Sequence, residues 1–329
     1  MRRVSALALA GLCCGCGQPM TMISRASDAA SRVTSLAWFM IVLAAIIYLV
    51  VIVAMLVATR RNNSRDPASV DMYNPGPRWI VIGGIILPAL VLAAVFVVAE
   101  TAMGNYPRPR PVLTINVVGH QWWWEAEYAF ASGPARFRTA NEIHIPAGRP
   151  VRLLLTSADV IHSFWVPRLQ GKLDLIPGDT NDLRLMARSP GIYRGQCAEF
   201  CGAQHAHMAL DVVADDSAAF QSWLAGQLAD AKPPADSVTA TGQTLFASGP
   251  CALCHTVRGT PALGRTGPDL THVGSRLTIA AGTLPNSLGN LQAWITNAQS
   301  IKPGVKMPTI TQYDGSELRA LAAYVASLK

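Results

Sequence analysis

Two long uncharged runs restrict what this 329-residue chain can fold into more than any other feature. Residues 37–58 and 79–99 contain no Asp, Glu, Lys or Arg. At about 1.5 Å per residue, the first run forms a helix of about 33 Å, and a hydrocarbon core is about 30 Å thick. The second run is interrupted only by Gly83, Gly84 and Pro88, which membrane helices tolerate. The sequence therefore predicts a two-helix transmembrane hairpin within residues 31–104.

The loop between the two apolar runs carries more arginine than the segment just before them. Its arginines are Arg60, Arg61, Arg65 and Arg78. Only Arg25 and Arg32 lie between residue 20 and the first run. Because cytoplasmic loops are enriched in basic residues, we expect this loop in the cytoplasm of a bacterial cell with the hairpin in its inner membrane. Both ends of the mature chain, and everything after about residue 104, then lie outside the cytoplasm.

Residues 1–30 have the character of an export leader. Arg2 and Arg3 precede a short apolar stretch over residues 4–14, which is typical of a signal peptide and too short to span a bilayer. Small residues before Cys16 leave lipoprotein cleavage at that cysteine as an alternative. Either form of export agrees with the predicted topology.

Composition and charge exclude several classes of protein. Half of the residues are hydrophobic and 14% are charged, which argues against a disordered chain and against a purely soluble enzyme. The net charge of +7 divides into +4 for residues 1–104, −1 for 105–240 and +4 for 241–329. No block forms a basic stripe, and much of the excess lies beside apolar segments. We therefore expect membrane lipid as a partner and no nucleic acid.

Residues 105–230 are predicted to form a β-sandwich outside the membrane. Polar and apolar residues alternate over 142–145, 151–153 and 181–185. Alternation in short strands separated by Gly and Pro turns is typical of an antiparallel β-sandwich. A helix is expected to close the domain, with one apolar face formed by Phe220, Trp223, Leu224 and Leu228.

A loop within this domain concentrates soft metal ligands. Cys197, Cys201, His205 and Met208 follow one another at intervals of four, four and three residues. Thiolate, imidazole and thioether donors together favour copper, whereas Mg²⁺ and Ca²⁺ prefer oxygen ligands. A further strong donor must come from elsewhere, and His162 in the segment 158–167 is the best placed.

Three other interpretations of the two thiols remain open. Cys197 and Cys201 could form a structural disulfide, bind zinc together with a histidine, or act as a thiol-based copper chaperone. Chaperones and disulfide-exchange proteins need an accessible sulfur atom, whereas a loop with two more donors encloses its metal. His205 and Met208 therefore favour an enclosed copper site.

This loop, together with Asp-Val-Ile-His-Ser at 159–163, resembles subunit II of the haem–copper cytochrome oxidases over about residues 30–230. The resemblance implies a cupredoxin-like domain with a dinuclear copper centre, CuA, which relays single electrons. By the family's pattern the ligands would be the bridging thiolates of Cys197 and Cys201, the imidazoles of His162 and His205, the thioether of Met208 and the carbonyl oxygen of Glu199. The Glu199 side chain would face a magnesium ion at the boundary with subunit I, with Asp174 nearby.

Gly-His-Gln-Trp-Trp-Trp at 119–124 resembles the family's aromatic stretch where electrons enter. We assign that role to Trp122, while ordinary packing is the expectation for Trp123 and Trp124. Three tryptophans on a strand would point to alternate faces, so at least one can be exposed over the copper. Two features depart from the family's pattern: Trp123 replaces the usual Tyr, and residues 73–79 lack the usual proton-path carboxylate.

Beyond a Pro-containing linker at 231–240, residues 241–329 carry a haem-attachment motif. Cys251-Ala-Leu-Cys254-His255 has the spacing of a covalent c-type haem site, with His255 as the proximal ligand. A redox dithiol or a zinc site is the alternative. Met307 is the single methionine of this region and is favoured over His272 as the sixth ligand. The region resembles the small, all-α class I cytochromes c, in Gly267-Pro268-Asp-Leu270 and in a carboxy-terminal apolar helix face at 318, 321, 325 and 328.

The whole chain thus resembles a multi-domain membrane protein, an oxidase subunit II with a fused cytochrome c, of the caa type. The resemblance implies a subunit of cytochrome c oxidase that passes electrons from its own haem c through CuA to subunit I, which reduces oxygen to water. Expected partners are subunit I, subunit III and a donor such as a cytochrome bc complex or a soluble cytochrome c. The alternatives are the same role in a nitric oxide reductase, or an exported copper-handling or thiol-redox protein with a haem module.

Overall fold

The computed structural model describes residues 20–62, 76–104, 110–129 and 136–329. Residues 1–19 of the expected leader, with Cys16, and the centre of the expected cytoplasmic loop, with Arg65, lie outside the described residues. The chain divides into two compact units, one over Ala29–Pro107 and the other formed by Met1–Asp28 with Arg108–Lys329.

The smaller unit contains the expected hairpin. Helix α1 spans Asp28–Asn62, and helix α2, Gly76–Val81, continues through a π-helical turn, Ile82–Ile86, into α3, Leu87–Gly104. Pro88 has no N–H to donate, and the backbone N–H of Leu87 just before it bonds to Ile82 O, five residues back. The segments Asp28–Arg60 and Arg78–Gly104 are long and apolar enough to cross a membrane. Arg32 Nη1 donates to Ala102 O at 3.1 Å, so the start of α1 lies beside the end of α3.

The first part of the larger unit is a sandwich of two five-stranded sheets. Its strands are β1 Leu113–His120, β2 Trp123–Ala129, β3 Arg136–Ala140, β4 Glu142–Pro146, β5 Val151–Ser157, β6 His162–Trp165, β7 Leu173–Leu175, β8 Asn181–Leu185, β9 Gly191–Cys197 and β10 Ala209–Asp215. The orders are β3-β2-β1-β5-β8 and β4-β10-β9-β6-β7. Each sheet contains one parallel pair, β1 with β5 and β4 with β10, among antiparallel neighbours. Alternation could not indicate this detail, because parallel and antiparallel strands share the period of two.

The core of the sandwich lies between the two sheets. β1 and β5 bury every second residue, including Ile115, Val117 and Leu153. β4 departs from the expected alternation, because all five of its residues are buried. Helix α4, Ser217–Leu228, explains this, since Trp223 covers β4 by stacking on the His144 ring at 4.1 Å.

The apolar face of α4 is shorter than its sequence predicts. Phe220 is buried, and Trp223 and Leu224 pack against the core. Leu228 ends the helix and is 41% exposed, so its inclusion in the apolar face was wrong.

The register of the strands brings the chemistry to one end of the sandwich. His162 begins β6, which pairs with β9 so that Phe164 lies opposite Cys197 at the end of β9. The connection from β9 to β10 carries Cys201, His205 and Met208, and it is referred to as the donor-rich loop. At the same end, Gln121 and Trp122 form the two-residue turn between β1 and β2. The expectation that all three tryptophans lie on a strand was therefore wrong for Trp122.

The second part of the larger unit is mainly helical. Its helices are α5 Ser237–Ser248, α6 Cys251–Cys254, α7 Leu288–Thr296, α8 Ala298–Ile301 and α9 Gly315–Ser327, with a short pair of strands, β11 Thr278–Ile279 and β12 Leu284–Pro285. Helix α5 begins inside the segment expected to be a linker, because Asp236 forms a capping box with Thr239. α5 crosses α9 closely at Gly242, where a Cβ atom would lie 2.1 Å from Ala320 O.

Candidate functional site

The soft donors of the sandwich converge on one buried cluster. Cys197 Sγ lies 3.8 Å from Cys201 Sγ and 3.9 Å from His162 Nδ1. On the other side, Cys201 Sγ lies 3.7 Å from His205 Nδ1 and 3.8 Å from Met208 Sδ. The structure therefore brings together all five side chains that the sequence predicted as copper ligands. A donor set of sulfur and imidazole nitrogen fits copper.

The two cysteines are free thiols in this arrangement. Their separation of 3.8 Å is far longer than a disulfide bond of about 2.05 Å. Both cysteines are buried, each 3% exposed, which leaves no open sulfur for exchange with a partner protein. The geometry therefore favours an enclosed metal over a disulfide or a chaperone site.

The thiols share their protons unequally. The contact with the Cys201 sulfur lowers the pKa of Cys197 and outweighs the opposing effect of burial. The same interaction raises the pKa of Cys201, and burial adds to the shift. A bound cation would displace the protons of the two thiols, because the thiolate is the form that binds a metal.

A contact with a carboxylate orients the imidazole ring of His162, the first residue of β6. His162 Nε2 lies 2.9 Å from Asp159 Oδ1, so Nδ1 faces Cys197. Hydrogen bonds from His162 and from the Gln121 backbone outweigh burial and lower the pKa of Asp159. Gly119 leaves room for the ring, since a Cβ atom there would lie 2.7 Å from His162 Cδ2. Neither role was predicted from the sequence, although Asp159 stands three residues before the predicted ligand.

The backbone of Glu199 completes the cluster. Glu199 O lies 3.2 Å from Cys197 Sγ, which places the predicted carbonyl donor beside the thiols. The side chains of Glu199 and Phe200 are exposed, Phe200 by 77%. This edge of the cluster therefore presents both an acidic and an apolar group to its surroundings.

Trp122 lies against the donor-rich loop. Its Nε1 donates to Cys201 O at 3.0 Å, and Gln121 Nε2 donates to the same oxygen at 2.8 Å. Trp124 is instead fully buried in the core, and Trp123 stacks on His120 with 4.3 Å between ring centroids. Of the three tryptophans, Trp122 is thus the one hydrogen-bonded to the cluster.

A second site lies in the helical domain, where a cavity of about 310 Å³ is bordered by residues of both domains. Cys251, Cys254, His255 and Met307, the predicted haem-binding residues, all line it. His272, the rejected alternative for the sixth ligand, bonds through Nε2 to Ala229 O at 3.0 Å. The cavity therefore gathers the favoured ligand set.

His255, the predicted proximal ligand, is held in one orientation. His255 Nδ1 bonds to Pro268 O at 2.8 Å, which leaves Nε2 without a proton. Burial lowers the pKa of His255, so the ring stays neutral. Gly267 lies against this ring, because a Cβ atom there would come within 2.6 Å of His255 Cε1. On the Met307 side, Gln299 Nε2 anchors the loop by donating to Met307 O at 2.7 Å.

Two buried nitrogens support the fit of a haem in this cavity. His120 Nε2 and Arg276 Nε both belong to lining residues and have no hydrogen-bond partner among the described residues. Buried polar atoms are rarely left without a partner. A group bearing carboxylates, as haem does, would pair with the Arg276 guanidinium. No sequence signal distinguished Arg276 or His120 for this position.

Comparisons with known proteins match both the β-sandwich and the helical domain. A family model described as cytochrome c oxidase subunit II, periplasmic domain, matches residues 130–215, and one described as cytochrome c matches residues 239–329. Cytochrome c oxidase subunit 2 of Alkalihalophilus pseudofirmus is 38% identical over 256 residues, covering 76% of this chain and 72% of that protein. The corresponding protein of Bacillus subtilis is 33% identical over 267 residues, covering 76% and 73%.

Among solved structures, the periplasmic domain of subunit II of cytochrome oxidase of Bradyrhizobium japonicum is similar to part of the chain. The identity is 32%, with coverage of 36% of this chain and 95% of that one, and the TM-score is 0.34.

Proposed function

Because the chain belongs to the cytochrome c oxidase subunit II family, we propose that it carries electrons from its helical domain through its β-sandwich to subunit I of a terminal oxidase. The observation that carries the proposal is the hydrogen bond between Trp122 and Cys201, which joins an aromatic ring to the thiol cluster. Reduction of oxygen to water would take place in subunit I.

The residues that would hold a dinuclear copper centre are those of the buried cluster. They are Cys197, Cys201, His162, His205, Met208 and, through its carbonyl oxygen, Glu199. The residues that would hold a covalent haem c are Cys251, Cys254, His255 and Met307. Copper and haem bound in these sites would each supply reversible one-electron transfer.

The chain's own residues favour rapid transfer by keeping the geometry of the copper site constant. His162 and Met208 are fully buried and the two cysteines nearly so, which shields the cluster from water on every side but that of the half-buried His205. Asp159 holds the His162 ring, and Gly119 allows the close approach. A preorganised, dry site needs little rearrangement when its charge changes. It also leaves no open position for a substrate, which is expected of an electron relay.

We further propose a magnesium ion between the exposed Glu199 side chain and subunit I, since carboxylates are preferred Mg²⁺ ligands. Subunit III, and a donor such as a cytochrome bc complex or soluble cytochrome c, complete the proposed assembly. For the membrane, we propose a bacterial inner-membrane location with both termini outside the cytoplasm. The arginine-rich loop after α1 supports this orientation.

Metal analysis and spectroscopy of the purified complex test the proposed function. We expect two coppers and one haem c per chain, together with near-infrared absorption from the copper pair. Cys197→Ser should abolish that absorption and oxygen consumption while leaving the haem c spectrum intact, and Cys251→Ser should impair haem attachment instead. One labile copper in the wild type would contradict the proposal. Activity with nitric oxide in place of oxygen would assign the chain to a different terminal reaction.

A further inference from the structure

A lysine of the helical domain is buried against the β-sandwich. Lys302 follows helix α8 and is only 2% exposed. Its Nζ donates to Trp122 O at 2.8 Å and to His207 O at 2.9 Å, both in the sandwich. The third donor is directed to Ala280 O in its own domain, at 3.3 Å. All three N–H groups of the ammonium therefore have an acceptor.

Such a lysine needs a structural reason, because lysines are almost never fully buried without compensation. Burying a charge is costly unless hydrogen bonds replace its hydration. The three carbonyl oxygens provide that replacement only while the two domains are in contact. Burial lowers the pKa of Lys302 to about 8, so the ammonium is the prevailing form at neutral pH.

The residues after Lys302 continue the contact toward both sites. Pro303 O accepts a hydrogen bond of 2.8 Å from Gln204 Nε2, within the donor-rich loop. Gly304 has φ +88° and lies on the indole, since a Cβ atom there would be 3.6 Å from Trp122 Cη2. Met307 follows three residues later and lines the cavity. The segment from Lys302 to Met307 thus connects the proposed haem cavity to the donor-rich loop of the sandwich.

Further hydrogen bonds cross the same interface without using Lys302. Ala209 N donates to Ala281 O at 3.0 Å, and Arg194 Nη2 donates to Gly282 O at 2.8 Å. Leu277 N donates to Glu142 Oε2 at 2.7 Å. The backbone amides of Ala209 and Leu277 report whether the domains are docked, independently of electron transfer.

We propose that Lys302 is a positioning residue that docks the helical domain on Trp122 and thereby holds the Met307 loop over the indole. The inference rests on the proposed function, because the docked geometry matters for transfer between the two sites. That transfer moves one electron from reduced haem to oxidised copper, and Lys302 neither gains nor loses a proton in it. A tether alone provides an effective concentration of about millimolar, but it does not fix the orientation.

The test compares Lys302→Met with Lys232→Met, an exposed lysine before α5, in the complete oxidase. Methionine keeps an unbranched stem and removes the ammonium. Losing hydrogen bonds from a charged group shifts a docking equilibrium by about tenfold or more, so we expect haem-to-copper transfer about tenfold slower in Lys302→Met. Amide hydrogen exchange at Ala209 and Leu277 should accelerate in the same variant. The haem and copper spectra should match the wild type, and Lys232→Met should behave as the wild type throughout.

Wild-type transfer and exchange distinguish the possible failures. The wild type transfers electrons from haem to copper if the proposed function is right. If Lys302→Met then shows the same transfer rate and the same amide exchange as the wild type, the role of Lys302 is overturned and the proposed function stays intact. Absence of haem-to-copper transfer in the wild type would instead overturn the proposed function.

Chemical labelling of the wild type avoids dependence on a variant that fails to fold. Brief acetylation with acetic anhydride, read by mass spectrometry, should modify Lys232 and the exposed Lys306 readily and Lys302 at least about tenfold more slowly, because acylation requires an accessible amine. Labelling of Lys302 as fast as Lys232 would overturn the inferred docking.

Discussion

The indole Nε1 of Trp122 donates a hydrogen bond of 3.0 Å to the backbone carbonyl oxygen of Cys201. Cys201 also contributes its sulfur to the buried cluster, so the aromatic ring and a proposed copper ligand are linked through a single residue. Because the ring also lines the haem cavity, it lies between the two proposed redox sites.

Trp122→Phe tests this link. Phenylalanine keeps an aromatic ring but removes the N–H donor and part of the ring surface that Gly304 covers. We expect haem-to-copper transfer to slow by about tenfold, equivalent to about 1.4 kcal/mol, while copper content stays constant. Flash kinetics measures the rate, and Trp165→Phe, a half-buried tryptophan of β6, is the matched control. Equal rates in Trp122→Phe and the wild type would remove Trp122 from the route.

Met307→Leu tests the sixth haem ligand. Cys251 and Cys254 would still attach the haem, so the cofactor should remain bound while the thioether is lost. A methionine ligand raises the reduction potential, and the variant should therefore show a high-spin spectrum and a lower potential in a redox titration. Met208→Leu, in the other site, should leave the haem spectrum unchanged. An unaltered haem potential in Met307→Leu would direct attention to His272.

Asp159→Asn tests the support of the copper ligand His162. The amide keeps the shape of the side chain but weakens the contact of 2.9 Å to His162 Nε2. Removing such a partner typically costs about 10- to 100-fold in metal affinity, which copper titration of the metal-depleted protein would measure. Asp182→Asn, an exposed partner of Arg152, should bind copper as the wild type does. Wild-type affinity in Asp159→Asn would show that the ring is held by packing alone.

His144 predicts a pH dependence of stability. Burial would lower its pKa, but hydrogen bonds to Asp215 at 2.6 Å and Glu142 at 3.1 Å outweigh burial and raise it above 6.5. At pH values below the pKa of His144 in the unfolded chain, the protonated ring contributes its full stabilisation to the fold. This contribution is lost as the pH rises through the raised pKa of the folded state. The Tm advantage of the wild type over His144→Gln should shrink as the pH rises from about 6.5 through the raised pKa of His144. An advantage that grows over this range would contradict the assignment.

The sequence predicted which donor side chains the fold brings together, because they are concentrated in short segments. Cys197, Cys201, His205 and Met208 lie on one loop, and the haem thiols lie three residues apart. Residues that act across the fold were missed. Lys302 and Arg276 resemble ordinary surface cations in sequence, and only tertiary contacts bury Lys302 and the Nε atom of Arg276.

The docking of the two domains could not be predicted from the sequence either. Their net charges of −1 and +4 give no orientation, because the contacts that fix it use backbone carbonyl oxygens, which every residue carries. The burial of His144 likewise depends on Trp223, which lies far along the chain. Alternation in β4 therefore predicted a solvent-facing side that helix α4 covers.

Photoreduction of the haem in the purified oxidase, followed at once in the visible and near-infrared regions, tests the central claim most directly. The account predicts that the haem c signal decays while the near-infrared absorption of the copper pair falls with the same time constant, one electron for one electron. Decay of the haem signal with no change in the near-infrared absorption would contradict it.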